Sequence, residues 1–293
     1  MTAATSPCYN PVLMNDQYAP SLELLTEAAV SAARAAGAVL LSRWKRSRRI
    51  QFKGEIDLVT DADRRSEETI VSMLQSQFPD HQILAEEGST GGSSGHYRWI
   101  IDPLDGTTNY AHGYPHFAVS IALEQAGEIA LGVVYDPILR ELFVGRKGQG
   151  ATLNGQPLRV SSIDRLLRAL GCTGFPYDRS KFGATLHRWE YFVRRLQGVR
   201  RDGSAALDIC YVAAGRFDVF WEDHLSPWDA AAAILIVLEA GGRVTNFQGG
   251  APDIYRGDIL ATNGLLHSDM LEGLLESRLV PDEGGDEGDA AHE

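Results

Sequence analysis

Apolar positions along the chain fall into two rhythms. Between Ser21 and Trp44, the residues Leu25, Ala29, Ala32, Ala36, Val39 and Leu40 recur near a 3.6-residue period and predict an amphipathic helix. Ser21 suits its N-cap and Glu23 its positive end, and the small alanines predict close packing. A second helix is predicted from Asp61 or Asp63 to Phe78, with Ile70, Met73, Leu74 and Phe78 inward and Pro79 at its stop. Short runs then take over. Ile83–Ala85 reads as a strand delivering Glu86 and Glu87, and the Gly/Ser-rich stretch 88–95 as a flexible connector. Trp99-Ile100-Ile101 is a buried strand running into Asp102-Pro103-Leu104-Asp105-Gly106-Thr107-Thr108-Asn109. Strands are predicted over 119–124, 129–135 and 141–144, punctuated by Gly127, Asp136-Pro137 and Gly145. The glycine-rich 145–150 lacks the Gly-Lys-Ser/Thr ending of a P-loop and reads as a turn.

Beyond residue 150 the rhythm alternates. A strand over 167–173 precedes a helix over 186–196. Gly203-Ser204-Ala205-Ala206 opens a helix closed by Gly215, and a strand over 217–221 ends in Glu222. Pro227-Trp228-Asp229 opens a strongly apolar helix to Ala240, stopped by Gly241-Gly242. Strands over 243–247 and 258–261 and a helix over 268–277 complete the pattern. The expected class is α/β, with an α+β half over 21–150 and an α/β half over 151–279. Residues 1–20, with Pro7, Pro11 and Pro20, are expected to form a disordered arm. Residues 280–293 are expected to be a disordered tail, since the stretch from Pro281 holds six acids and no Lys or Arg.

Composition narrows the classes. A hydrophobic share of 44% is that of a globular protein, and a net charge of −12 argues against nucleic-acid binding. The basic cluster Arg43, Lys45, Arg46, Arg48, Arg49 and Lys53 is the exception, expected as a solvated face. The three cysteines, Cys8, Cys172 and Cys210, show neither disulfide nor zinc spacing. No leader pattern is evident, and the longest uninterrupted apolar run, Ala230 to Leu238, is too short to span a bilayer. A cytoplasmic protein with neither a membrane nor a nucleic-acid partner is expected.

The chemistry concentrates at Asp102-Pro103-Leu104-Asp105-Gly106. Pro103 fixes its own φ and biases Asp102 toward an extended backbone. Both carboxylates and the Leu104 carbonyl can then aim at one point, and a rigid set of oxygens suits a hard cation such as Mg²⁺. Gly106-Thr107-Thr108-Asn109 reads as a helix start, whose free N–H groups attract anions. Asp-Pro-x-Asp-Gly alone is also an ordinary turn. Haloacid-dehalogenase phosphatases carry a similar Asp-x-Asp-Gly-Thr, but the spacing here is one residue longer, which leaves that reading as the weaker alternative. Asp229 could be a plain helix-start acid, Asp63 a cap for the second helix and Glu86-Glu87 a solvated pair.

Four pieces are decisive together: Asp57-Leu58-Val59-Thr60 with Asp63, Glu86-Glu87, Trp99 to Asn109, and Trp228-Asp229 before an apolar helix and Gly241-Gly242. In this order and spacing, over about residues 22 to 278, the chain resembles the inositol monophosphatase family of magnesium-dependent, lithium-sensitive phosphatases. The resemblance implies a layered αβαβα fold, often dimeric, that hydrolyses inositol monophosphate with two or three Mg²⁺ ions. It implies that Glu86, Asp102, the Leu104 carbonyl, Asp105 and Asp229 bind the metals. Asp63 with Thr107, and Glu86 through a water on the metal, would activate the nucleophile. Gly106 and Thr107 would hold the phosphate, with Asp105 and Asp229 beside the substrate. Gly203, Ser204, Ala205 and Glu222 would contact the leaving group. Other relatives implied by the same metal core act on histidinol phosphate, fructose 1,6-bisphosphate or 3′-phosphoadenosine 5′-phosphate, and a regulatory protein could use the fold as a scaffold. Asp202, an acid beside the implied pocket, departs from the pattern, and the loop around Lys53 looks slightly short.

Overall fold

Ser21 Oγ accepts a hydrogen bond from the Leu24 N–H at 3.2 Å and starts helix α1 (Leu22–Arg43). The computed structural model describes residues 20–44, 50–52, 58–88, 90–92, 94–176 and 178–277. The expected arm before Pro20, the basic residues Lys45 to Lys53, Asp57 and the expected acidic tail lie outside the described residues. Along α1 the inward alanines Ala29, Ala32, Ala33 and Ala36 are fully buried, which lets the helix lie close to its neighbours. Among the described residues α1 is the one helix long and apolar enough to cross a membrane by length and composition. Its buried face is nonetheless that of a core helix, packed on a second helix and a sheet.

A hairpin of β1 (Ile50–Phe52) and β2 (Leu58–Thr60) leads into α2 (Asp61–Gln77). The first sheet then takes β3 (His81–Ala85), β4 (Thr90–Gly91), β5 (Ser94–Asp105), β6 (Ala118–Gln125), β7 (Glu128–Asp136), β8 (Glu141–Arg146), β9 (Gly150–Leu153) and β10 (Gln156–Pro157), with α3 (Thr107–His112) between β5 and β6. Its strand order is β10-β9-β8-β7-β6-β5-β3-β4, antiparallel throughout except for the parallel pair β3 and β5. The remaining elements are β11 (Leu170–Thr173), α4 (Phe182–Val193), β12 (Gly198–Arg200), α5 (Ala205–Ala213), β13 (Val219–Glu222), α6 (Pro227–Glu239), β14 (Arg243–Thr245), β15 (Ile259–Thr262) and α7 (His267–Glu276). These strands form the second sheet in the order β12-β11-β13-β15-β14.

Three apolar clusters glue five layers. Leu25, Leu40, Ile70 and Leu74 of α1 and α2 pack with Trp99, Ile101, Val119 and Val133 on one face of the first sheet. Between the sheets, α5 and α6 bury Leu207, Cys210, Ala232 and Ile236 with Val134 and Phe143 on one side and Cys172, Phe220 and Ala261 on the other. Outside the second sheet, Phe192 of α4 and Met270 and Leu274 of α7 cover Val219, Trp221 and Leu260. The result is the αβαβα sandwich expected from the sequence.

Differences from the expected elements are local. The stretch 88–95 is not all connector, since β4 adds an edge to β3. The helix expected over 186–196 starts earlier, at Phe182, and the strand expected from Leu167 begins at Leu170 after a single 3₁₀ turn. Glu222 is the last residue of its strand, paired with Ile259, where the sequence places it just past the end. Shifts of this size are ordinary fraying of apolar patterns at element ends.

Candidate active site

The parallel pairing of β3 with β5 puts Ala85 opposite Ile101, so the next residues of both strands, Glu86 and Asp102, emerge side by side at one edge. The Glu86 N–H donates to the Ile101 carbonyl at 3.2 Å and continues that alignment. Residues three apart in an unbroken strand project to opposite faces. Here β5 carries one extra residue against β6, since Asp102 pairs with Ser120 and Asp105 with Ala118. That bulge, at Pro103-Leu104, returns the two carboxylates to the same side. The Ser66 hydroxyl of α2 donates to the Pro103 carbonyl at 2.7 Å and pins it. A further bond from α2, Glu67 accepting from the Glu87 N–H at 2.8 Å, fixes the turn that carries Glu86.

Gly106 follows with φ 91°, a left-handed conformation, and a Cβ there would lie 3.0 Å from the His116 carbonyl oxygen. The chain can therefore turn sharply into α3. Thr107 Oγ1 lies 2.9 Å from Asp63 Oδ1 and 3.0 Å from the Leu104 carbonyl, and both Thr107 and Asp63 are buried. The Asn109 amide donates to the carbonyls of His116 (2.8 Å) and Asp202 (2.7 Å), tying this loop to the approach to α5.

Two helix starts complete the site. Asp105 Oδ2 accepts from the Ser204 hydroxyl at 2.5 Å and from the Ala206 N–H at 2.8 Å, so Asp105 caps α5 from another layer. Asp229, at the start of α6 behind Pro227, accepts from the Ser226 N–H at 2.7 Å. A cleft is lined by Asp105, Gly106, Gly203, Ser204, Ala205, Glu222 and Asp229, together with Gly174, Phe175, Arg201, Asp208 and Leu225.

The electrostatics of this cluster are unfavourable without a cation. Burial, then Glu86, Asp105 and Asp229, push the Asp102 carboxyl well above the ordinary range. Burial and Asp105 do the same to Asp229, with a further contribution from Glu86. Asp105 is pushed up to about 6 by burial, partly offset by its bonds from Ser204 and Ala206. Glu222 is raised by burial, Asp208 and Asp229, against a smaller opposing effect of Arg201. Glu86, Asp102, Asp105 and Asp229 are thus coupled through their charges, and all offer oxygen donors. Such a set fits a hard divalent cation, whose charge would offset the mutual repulsion of these carboxylates.

Of the residues expected from the sequence, Asp105, Gly106, Gly203, Ser204, Ala205, Glu222 and Asp229 line the cleft, Thr107 is joined by hydrogen bonds to Asp63 and Leu104, and Asp102 feels the charges of Glu86, Asp105 and Asp229. The structure also adds groups that sequence reasoning passed over. Asp208 sits on α5 and binds His116 Nε2 at 3.1 Å, and both are buried. Burial opposes the charge on His116, yet the hydrogen bond and charge of Asp208 outweigh it and raise the imidazole. His116, Asp202 and Asp208 hold ligand-type atoms within 4.8 Å of one another. The Asp202 carboxylate gathers there and does not line the cleft. The signal for Asp208 was present, a lone acid within the apolar run Ala205–Ala213. Arg216 pairs with Glu141 at 2.5 Å.

A model of the inositol monophosphatase family matches residues 21–279. The chain belongs to the inositol monophosphatase family. Within that family of phosphatases, it is 44% identical over 277 residues to the inositol-1-monophosphatase of Synechocystis sp., covering 94% of each chain. It is 45% identical to the Nus factor SuhB of Pseudomonas aeruginosa over 243 residues, 80% of this chain and 90% of that one. The crystal structure of the extragenic suppressor protein SuhB from Bartonella henselae superposes with a TM-score of 0.83 at 42% identity, covering 85% of this chain and 98% of that one. Family membership and the shared layering agree with the sandwich described above.

Proposed function

We propose that this chain is a Mg²⁺-dependent phosphomonoesterase that hydrolyses inositol monophosphate to inositol and phosphate. The observation that carries the reading is the convergence of Glu86, Asp102, Asp105 and Asp229 beside the buried Thr107–Asp63 pair. Those four carboxylates and the Leu104 carbonyl would hold two or three Mg²⁺ ions. Bound there, Mg²⁺ neutralises the phosphate and lowers the pKa of water. The chain's own groups do the rest. Thr107 Oγ1 accepts a proton from the attacking water as its own proton passes to Asp63. The N–H groups of Gly106 and Thr107 receive phosphate oxygens. Gly203, Ser204, Ala205 and Glu222 line the leaving-group side of the cleft. A fixed carboxylate such as Glu222 can accept hydrogen bonds from ring hydroxyls, which favours a polyol over an apolar leaving group. Relatives named inositol-1-monophosphatase support the substrate assignment.

Phosphate release from a panel of inositol, sugar, histidinol and nucleotide phosphates tests it. Inositol monophosphate is expected to have the highest kcat/KM, and clear preference for another ester would move the protein elsewhere in the family. Lithium is expected to inhibit. A homodimer and a cytoplasmic location belong to the same proposal, checked by sedimentation and by localisation of the full chain.

A second reading rests on the relatives named Nus factor SuhB. The chain would then also act as a binding protein, a role tested by asking whether the Asp102→Asn protein still replaces the wild type in cells.

A further inference from the structure

The apolar part of the cleft lining carries no role in the reading above. Phe175 lies there, half-buried, with Leu225 as the other large apolar lining residue. Phe175 lies two residues past the end of β11 and is backed by two further rings, with centroids 5.6 Å away at Phe182 and 5.8 Å away at Trp189. Both belong to α4, which does not itself line the cleft. Its position relative to Glu222 is fixed by Gly174. A Cβ on Gly174 would fall 2.0 Å from Glu222 Oε1, so the carboxylate rests against the backbone immediately before Phe175. The cleft therefore presents a carboxylate and an aromatic ring held one residue apart.

An aromatic side chain braced by two others is a stiff, low-entropy contact surface. A cyclic polyol has hydroxyls around its rim and C–H groups on its faces. A pocket for it needs polar groups at the rim and an apolar surface under a face. We infer that Phe175 is a specificity-determining residue, a platform on which the C–H face of the ring of the leaving group rests while Glu222 receives rim hydroxyls. The inference builds on the phosphatase reading and adds a shape requirement, that preferred substrates carry a ring on the phosphate ester oxygen. Phe175 carries no group that can move a proton, so it contributes binding alone. Its loss should then raise KM and leave kcat nearly unchanged.

Steady-state kinetics of the Mg²⁺-loaded protein on inositol 1-phosphate and on acyclic glycerol 2-phosphate test this. Phe175→Ala is expected to raise KM for inositol 1-phosphate roughly tenfold, the scale of an apolar pocket contact. Its KM for glycerol 2-phosphate should change less than about twofold, and Phe175→Tyr should behave as wild type. Phe175→Leu keeps apolar bulk against Phe182 and Trp189 without a flat face, and carries the test should Phe175→Ala fail to fold. It should show the same substrate-selective loss. Equal losses on both substrates, or wild-type kinetics in the Leu variant, would overturn the proposal. Failure of the underlying reading shows up separately, as wild-type protein that releases no phosphate from inositol 1-phosphate.

Discussion

The Thr107 hydroxyl lies 2.9 Å from Asp63 Oδ1, joining the start of α3 to the first turn of α2 across 44 residues of chain. Both residues are buried, and the hydrogen bond between them offsets the cost of removing them from water. Thr107→Val keeps the shape and removes the hydroxyl. It should lower kcat by about 10²–10⁴-fold, the range of general-base catalysis, with a smaller effect on KM. Single-turnover phosphate release with saturating Mg²⁺ is the check, and an unchanged kcat would remove Thr107 from the proton path.

His116 and Asp208 give a pH dependence of stability. The imidazole is raised above its ordinary value by Asp208, with Asp202 and Asp105 adding to it against the cost of burial. A histidine raised on folding contributes stability that is complete below its unfolded pKa and is lost as pH rises through its folded pKa. Asp208 is itself raised, mainly by burial, which likewise favours the folded state on the acid side. His116→Gln should therefore cost most stability near pH 6, and the gap to wild type should narrow as pH rises. Thermal melts of the two proteins at pH 6 and pH 9 test the sign. A gap that widens with pH would mean His116 is neutral in the folded protein.

Gly174 and Glu222 make a paired prediction. The three atoms nearest a Gly174 Cβ are in the Glu222 carboxylate, the mobile end of a side chain. Gly174→Ala should displace Glu222 and leave the backbone in place. Melting should shift by little, while kcat/KM for inositol 1-phosphate falls relative to an aryl phosphate, matching Glu222→Gln. Equal loss on both substrates in both variants would assign Glu222 to the metals or the fold.

Much of this site was legible before any coordinates. Asp102, Asp105 and Gly106 lie within five residues, and Pro103 and Gly106 declare their backbone constraints locally. The elements and the α/β class followed from helix and strand periods, while the αβαβα layering followed from the family resemblance. What could not be read is what depends on distant register. The bulge that aligns Asp102 with Asp105 exists only against β6. The capping of α5 by Asp105 joins residues 101 apart. His116 and Asp208 stand 92 residues apart in the chain, and only the packing of α5 brings them together. Phe175 reads as one aromatic among many until Gly174 places it beside Glu222.

The most direct measurement is phosphate release from inositol 1-phosphate by protein stripped with EDTA and then titrated with Mg²⁺, for wild type and Asp102→Asn. Asp102 is buried among three other acids, and Asn removes its charge at constant shape. The expected result is no turnover after stripping, full recovery with Mg²⁺ in wild type, and turnover lower by roughly 10²-fold or more in Asp102→Asn with an unchanged fold. Turnover that survives exhaustive stripping, or an Asp102→Asn protein with near-normal turnover, would contradict a carboxylate-held metal centre.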